Sequence, residues 1–485
     1  MSVRARDARG ALWGAVERAA SQGISFVVVL VLARLLGPES YGLAALAATC
    51  VLLGQMLLGE TFSESLVQAA RLEQQHLTSV FWMLLCAAMI VAGAFYLGAD
   101  ALAGALGQPA VAPILRALSP LPVVSAAQSV PVALFRRELD YRALALASTV
   151  GALCGGVTGI AAALAGLGVW SFVVNLATQS VATAVVIWVK TEFRPRGGFS
   201  RRHLASLWSY GQYTFVLRVA AYAANQSPRL LIGYFFGPVV LGHFSLALRF
   251  VETMHQFLAV PAMNVLLPVV ARYRADPVRL RNGIVEATQL CAMIVVPAFT
   301  ALALIAPVGL PLLFGAQWRD SAVIVQIFAA FGVVGAGGLL WRGIIAGLGR
   351  PVINLVTTLC AAALGVGLIV AVAPLGPVAA AAVFIVRGYA TLPALPFVIR
   401  RLTGVSAGDQ YRAFVPVLAA SAIMALVTIA FEAAAARRLD EVTLAITTMA
   451  VCAASYAAAL YVVARPTLRL GVSVLGVVRA RQEAV

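Results

Sequence analysis

The sequence predicts an all-α polytopic membrane protein of about fourteen transmembrane helices, arranged as two parallel six-helix lobes plus two C-terminal helices. Three observations carry that prediction. Of 485 residues, 62% are hydrophobic and 11% charged, where a soluble domain carries about 25% charged. Apolar runs of seventeen or more residues recur along the whole chain, and a bilayer core takes roughly 20 per helical span. Runs of that length exclude a β-barrel, whose strands alternate and are only about ten residues long. The third observation is that the cationic residues alternate in density from one loop to the next.

Each span has its own punctuation. The first, 11–36, closes at "LGPESYG", where Gly37 and Pro38 end one helix and Gly42 frees the chain to begin 42–66. Span 78–105 exits through "LGQPAVAPIL", and 117–134 returns to the basic turn "RRELDYRAL". Span 143–166 ends at "GLGVWS", and 169–189 runs into "KTEFRPRGGFSRRH", a basic segment containing the single lysine, Lys190. Span 206–236 closes at "FGPVVLG"; 240–271 carries Pro261 and Pro268, which kink helices. Span 283–306 exits through "LFGAQWRDSAVI", 321–347 returns to "GLGRPVINL", and 352–374 ends at "PLGPVA". Spans 377–399, 413–434 and 443–464 complete the chain.

With the N-terminus placed in the cytoplasm, 24 of the 35 Lys and Arg fall in inside segments and four (Arg116, Arg319, Arg437, Arg438) in outside ones. That bias follows the positive-inside rule and puts both termini in the cytoplasm. It also accounts for the net charge of +16 without a nucleic-acid partner. Glu17 and Arg18 interrupt the place where the apolar region of a signal peptide would sit, so the first span is expected to stay. The six cysteines lie inside apolar runs without a CxxC pair and read as small buried residues, neither disulfides nor metal ligands.

The punctuation repeats. "LGPESYG" and "FGPVVLG" are 200 residues apart, and the matching exits, basic turns and span ends keep offsets of 200 to 211. The chain therefore reads as an N-lobe (1–190), a basic cytoplasmic linker (191–205), a C-lobe (206–400) and a C-terminal pair of spans with a basic tail (401–485). Six spans per lobe make the repeat parallel, which places a cavity on the axis between lobes and points to transport.

The ordered set "GALWGAVERAASQGISFVVVLVLARLLGPESYG", "ESLVQ", "RRELDYRALAL", "GVWSFVV", "RLLIGYFFGPVVLGHFSLALR", "LLPVVARYRAD", "LFGAQW" and "GLGRP" resembles the polysaccharide transporter family of O-antigen and exopolysaccharide flippases. Its superfamily also holds the multidrug and toxic-compound extrusion antiporters. The resemblance covers residues 8–465, and is greatest to exporters of exopolysaccharide repeat units such as colanic acid. It implies flipping of an undecaprenyl-diphosphate-linked oligosaccharide across the bacterial inner membrane, with membrane lipids, a polysaccharide polymerase and a chain-length regulator as further partners. It implies no cofactor and leaves coupling to H⁺ or Na⁺ open. One departure stands out: the family often places an acid before the arginine of "RLLIG", and here Pro228 precedes Arg229.

A charge at mid-membrane costs about 2.5–3.5 kcal/mol on insertion scales. Arg218, Arg229, Arg249, Arg342 and Arg387 all fall within spans of the second lobe, so they are expected to face a wet cavity or acidic partners. A guanidinium offers a diphosphate a planar fork of donors, which makes these five the expected substrate-binding residues. Arg249, Glu252, His255 and Gln256 share one helical stripe, with Glu252 the expected partner of Arg249. Glu17, Arg18, Glu60, Glu64, Glu252 and His255 are the candidates for gating or ion coupling. Internal amides, among them Asn175 and Gln179, are expected along the lumen. Gly332, Gly335, Gly337 and Gly338 suit either a hinge or close helix packing.

The chain lacks GxxxxGK[ST], which excludes an exporter driven by its own phosphate loop. Its longest outer loop carries two charges, Arg319 and Asp320, too few for the external catalytic loops expected of a polymerase. A cation-coupled drug antiporter would want isolated acids around an apolar pocket, and the cationic lumen argues against it. A peptidoglycan-lipid flippase of the same superfamily remains an alternative on physical grounds.

Overall fold

The computed structural model describes residues 3–68, 73–196, 200–259, 276–435, 439–463 and 465. The side chains of 3–21, 57–65, 201–221 and a few single helical positions lie outside that description.

Among the described residues every regular element is helical. In chain order the elements are α1 (Val3–Gln68), α2 (Gln74–Leu97), α3 (Ala99–Ala105), α4 (Val111–Leu118), α5 (Leu121–Arg137), α6 (Tyr141–Leu164), α7 (Trp170–Lys190) and α8 (Arg201–Met254). A π-helical turn, His255–Ala259, extends α8. Then come α9 (Pro277–Phe314), α10 (Ser321–Gly347), α11 (Pro351–Val372), α12 (Pro377–Thr391), α13 (Ala394–Thr403), α14 (Ala407–Arg412), α15 (Val415–Ala435) and α16 (Glu441–Val463).

Eleven helical stretches are long and apolar enough to cross a bilayer, and α10, bent by 41° between Ser321–Val333 and Gly337–Gly347, makes a twelfth. Two of the twelve are double. α1 breaks at Gly37 (φ 77°, ψ 171°) and α8 at Gly237 (φ 80°, ψ −179°). Both glycines adopt a conformation that side chains disfavour, and the proline after each excludes the helical region for its predecessor while suiting the first turn of a new helix. Divided there, the described chain has fourteen apolar helical segments, at the places the sequence predicts. The repeat is visible in the backbone as well. Positive-φ breaks recur in register at Gly37 and Gly237, Gly107 and Gly315, Leu139 and Gly349, Gly168 and Gly376.

The chain forms two compact units, Met1–Ser245 and Leu246–Val485. In the first, α6 lies against α7 along a stripe of glycines one turn apart. A Cβ on Gly155 would stand 2.7 Å from the Asn175 carbonyl oxygen, and one on Gly159 2.7 Å from Asn175 Cβ. Small residues let the two backbones approach, which is how helices adhere where lipid removes the hydrophobic drive. Beyond α7 the chain is fastened back onto α2: the Arg194 carbonyl accepts from Gln74 (2.8 Å) and the Arg196 carbonyl from Thr78 (2.9 Å). Phe193 packs among Phe81 and Trp188. Arg137 donates to the Leu66 and Val67 carbonyls at the end of α1 (3.1 and 3.3 Å), where a cation suits the helix C-terminus.

The same unit brings the two Gly-Pro motifs together. A Cβ on Gly42 would collide with the Pro238 carbonyl oxygen, and a Cβ on Gly242 with the Pro38 carbonyl oxygen. The exchange of partners is the signature of a two-fold relation between copies.

In the second unit, α9 and α10 are joined by Gln326 donating to the Ala303 carbonyl (3.1 Å), and α16 is tied to α9 by the Tyr456 hydroxyl on the Met293 carbonyl (2.8 Å). Arg281 of α9 pairs with Asp409 of α14 at 2.9 Å. The six cysteines are free: Cys291 and Cys452 are buried, Cys50 is half-buried, and Cys86, Cys154 and Cys360 are exposed on apolar helices.

Candidate functional site

The candidate residues divide between the units. In the first, Arg229 follows the buried Pro228 inside α8 and donates to Gln226 Oε1 one turn back. One turn earlier still, the Tyr222 hydroxyl donates to the Thr49 carbonyl of α1 (2.9 Å). The pair joins the second span of the first repeat to the first span of the second. Arg218, Glu17, Arg18, Glu60 and Glu64 lie on α8 and α1, but their side chains are outside the described residues.

The second unit holds Arg249, Glu252, His255, Arg342 and Arg387. Arg249 and Glu252 are half-buried on the end of α8. Arg249 Nε is buried without a hydrogen-bond partner. The π-helical turn begins one turn later, at His255. A π turn re-aims the side chains that follow it, and Gln256, expected on the same stripe, is exposed. The His255 ring packs on Phe299 of α9, with centroids 4.8 Å apart. Its Nε2 is buried without a partner and faces Gly335, at the bend of α10.

Arg342 follows that bend. Its Nε and the neighbouring Trp341 Nε1 are buried donors without partners. Its carbonyl accepts from Asn354 Nδ2 of α11 (2.8 Å). Arg387 of α12 lies over the Phe384 ring, 4.7 Å from the centroid, and is within electrostatic reach of Arg342. Phe384 itself stacks with Phe328 and Phe331 of α10. The second unit thus combines guanidinium and indole N–H groups that lack a hydrogen-bond partner (Arg249 Nε, Arg342 Nε, Trp341 Nε1) with aromatic faces. Unsatisfied buried donors cost about 1–3 kcal/mol each, and an anion with several acceptor oxygens would satisfy them.

Two expected lumen amides lie elsewhere. Asn175 and Gln179 turn their Cβ atoms onto Gly159 and Gly155 of α6, so they belong to a helix contact. Tyr222, Trp341, Asn354 and Phe384 were not singled out by the sequence. Asn354 sits three residues into α11 beside a basic turn, where an amide reads as a loop residue. At the opposite end of α9, a polar cleft of roughly 260 Å³ is lined by Arg281, Asn282, Glu286, Gln289, Asp409 and Arg412, and none of the described mid-span arginines is among them.

Residues 31–323 match the family model described as polysaccharide biosynthesis protein. The chain is 28% identical over 317 residues to the succinoglycan biosynthesis transport protein ExoT of Rhizobium meliloti, covering 65% of this chain. It spans 64% of that relative's length, just under two thirds. It is 23% identical to the lipopolysaccharide biosynthesis protein WzxC of Escherichia coli, over 70% of this chain and 69% of that one. Among solved structures, the lipid II flippase MurJ in an inward closed conformation superposes with a TM-score of 0.77 at 11% identity, over 94% of this chain and 100% of that one. An inward-facing multidrug resistance MATE transporter gives 0.66 at 16%, over 81% and 99%. At those identities the likeness is one of fold.

Proposed function

The chain belongs to the polysaccharide biosynthesis protein family, and from that premise we propose that it carries lipid-linked oligosaccharide repeat units across the bacterial inner membrane. The cargo of this reading is an undecaprenyl-diphosphate-linked repeat unit destined for exopolysaccharide, capsule or lipopolysaccharide. Movement is by alternating access between the lobes 1–190 and 206–400, with both termini cytoplasmic. The names of two relatives, a succinoglycan transport protein and a lipopolysaccharide biosynthesis protein, support the cargo class.

The observation that carries the site is the set of unsatisfied buried donors around Arg249 and Arg342, with Arg387 nearby. A diphosphate would supply acceptor oxygens to Arg249 Nε and Arg342 Nε, and it would supply them as an anion. Arg229 and Arg218, on the first span of the same repeat, are further candidates for the cargo's phosphates. The aromatic rings beside Arg387 suit the faces of sugars. Glu252 and His255, with Glu17, Arg18, Glu60 and Glu64 on the first repeat, are the groups for gating or ion coupling.

The test is genetic and chemical. A strain lacking the gene is expected to accumulate lipid-linked repeat units on the cytoplasmic side of the membrane, and the wild-type gene to clear them. Unchanged repeat-unit distribution in the deletion would overturn the proposal.

A further inference from the structure

We propose that the two Gly-Pro motifs are the two halves of one outer gate, closed in this structure by direct contact between their backbones. The inference rests on the flippase reading for its topology, which places both motifs at the outer surface.

Three observations carry it. First, the contact is reciprocal: Gly42 meets the Pro238 carbonyl and Gly242 meets the Pro38 carbonyl. A contact that exchanges equivalent residues lies on the axis relating them, which is where a pathway between two repeats has to be closed. Second, the atoms nearest each glycine at the junction are backbone atoms of the other motif. Each glycine is next to a carbonyl that leaves no space for a Cβ, so the seal is close packing between bare backbones. Close contact between backbones of this kind can part without breaking a covalent or metal link. Third, the contact continues inward. Two turns beyond Gly42, the Tyr222 hydroxyl donates to the Thr49 carbonyl (2.9 Å), and Cys50 lies within electrostatic reach of Tyr222. Tyr222, Thr49 and Cys50 are therefore on the face that the junction closes, one step behind it.

The geometry assigns the two glycines a role that a hairpin turn does not require. A turn at Gly37-Pro38 needs Gly37 for its positive φ, but it makes no demand on Gly42, which lies inside the following helix. An alanine at Gly42 or Gly242 has no place to put its methyl unless the two copies part. The gate reading therefore predicts that these substitutions favour the open state.

Cys50 is a native reporter. With the other five cysteines replaced, whole spheroplasts are treated with a membrane-impermeant maleimide. Cys50 is expected to be protected in the parent and to react at least about tenfold faster in Gly42→Ala or Gly242→Ala, the shift a one-decade change in open population produces. A second experiment leaves the glycines intact. Glu39→Cys and Val239→Cys, two exposed positions beside the contacting prolines, are bridged with a short bis-maleimide; the bridge is expected to stop transport and release of the bridge by a cleavable linker to restore it. Unchanged Cys50 reactivity in folded glycine variants, or full transport through the bridged protein, would overturn the gate. Labelling is read without cargo. Protection that tracks the glycines in a chain that moves no polysaccharide would sink the flippase reading and leave the gate standing.

Discussion

The guanidinium of Arg387 lies over the ring of Phe384, 4.7 Å from its centroid, while Arg342 stands within electrostatic reach on the neighbouring helix. Two guanidiniums within reach of each other inside a membrane segment suit an anionic cargo. Arg342→Glu and Arg387→Glu are expected to abolish export while the protein still inserts, as read by polysaccharide output against membrane-fraction immunoblots. Arg218→Glu is expected to behave alike. Arg387→Lys is the sharper probe: it keeps the charge and loses the planar fork, so partial loss is expected. Normal polysaccharide from Arg342→Glu would refute the cationic site.

The α6–α7 contact predicts a steep steric response. Alanine at Gly155 brings a methyl to 2.7 Å of the Asn175 carbonyl oxygen, a backbone atom that cannot rotate aside. Overpacking of this kind costs about 1–3 kcal/mol. Thermal unfolding in detergent should show Gly155→Ala clearly destabilised, and Gly104→Ala, which lies in α3 and meets nothing within 4 Å, unchanged or slightly stabilised.

Leu139 is the one described non-glycine residue with positive φ (58°), at the position where the second repeat has Gly349. A side chain in that region costs roughly 1 kcal/mol. Leu139→Gly is therefore expected to raise the unfolding midpoint or leave it level, despite the extra freedom of the unfolded chain. Since Leu139 is exposed at 47%, little packing is lost. A large drop in midpoint would show that its side chain holds a partner.

These outcomes separate what the sequence displays from what it withholds. Fourteen spans were legible because each apolar run is bounded by glycine, proline or charge, and the repeat because those boundaries recur at offsets near 200. That Gly42 and Gly242 meet was not legible: a repeat shows which residues are equivalent and is silent on which copies touch. The arginines were legible through the cost of burying them. Their partners were not. Helical periodicity places Arg249 and Glu252 on one face, but a face does not say which polar group each side chain meets. Asn175 and Gln179 looked like lumen amides because polarity in a span marks a cavity as readily as a helix seam. The glycine stripe that would have exposed the seam is obscured by abundant alanine and glycine.

Acid should loosen the start of α16. The Asp440 carboxylate accepts from the Thr443 hydroxyl (2.7 Å) and the Thr443 amide (3.1 Å), and these donors hold its carboxyl below the usual carboxylate range. A carboxylate lowered in the folded state stabilises above its unfolded value and loses that contribution as pH falls through its lowered one. Amide exchange at Thr443, read relative to mid-helix amides, should therefore quicken below the ordinary aspartate range. Asp440→Asn should retain most of the cap and Asp440→Ala lose it.

The glycines of α10 allow packing and hinging to be told apart. At the bend, a Cβ on Gly335 would touch His255 Nε2 at 3.4 Å, an ordinary contact. A Cβ on Gly332 would enter the ring of Phe299, which is fully buried, and one on Gly338 would meet the end of the Leu392 side chain. Alanine in a helix gains roughly 0.5–1 kcal/mol over glycine through backbone entropy, so Gly335→Ala is expected to be neutral or stabilising in a melt. Gly332→Ala is expected to lose about 1–3 kcal/mol by overpacking, and Gly338→Ala less, since the Leu392 methyls can turn. Transport separates the other role. If α10 must change its 41° bend in the cycle, stiffening it at Gly335 slows export in a protein that melts no lower than the parent. If the bend is fixed, Gly335→Ala transports normally, and the glycines serve packing alone.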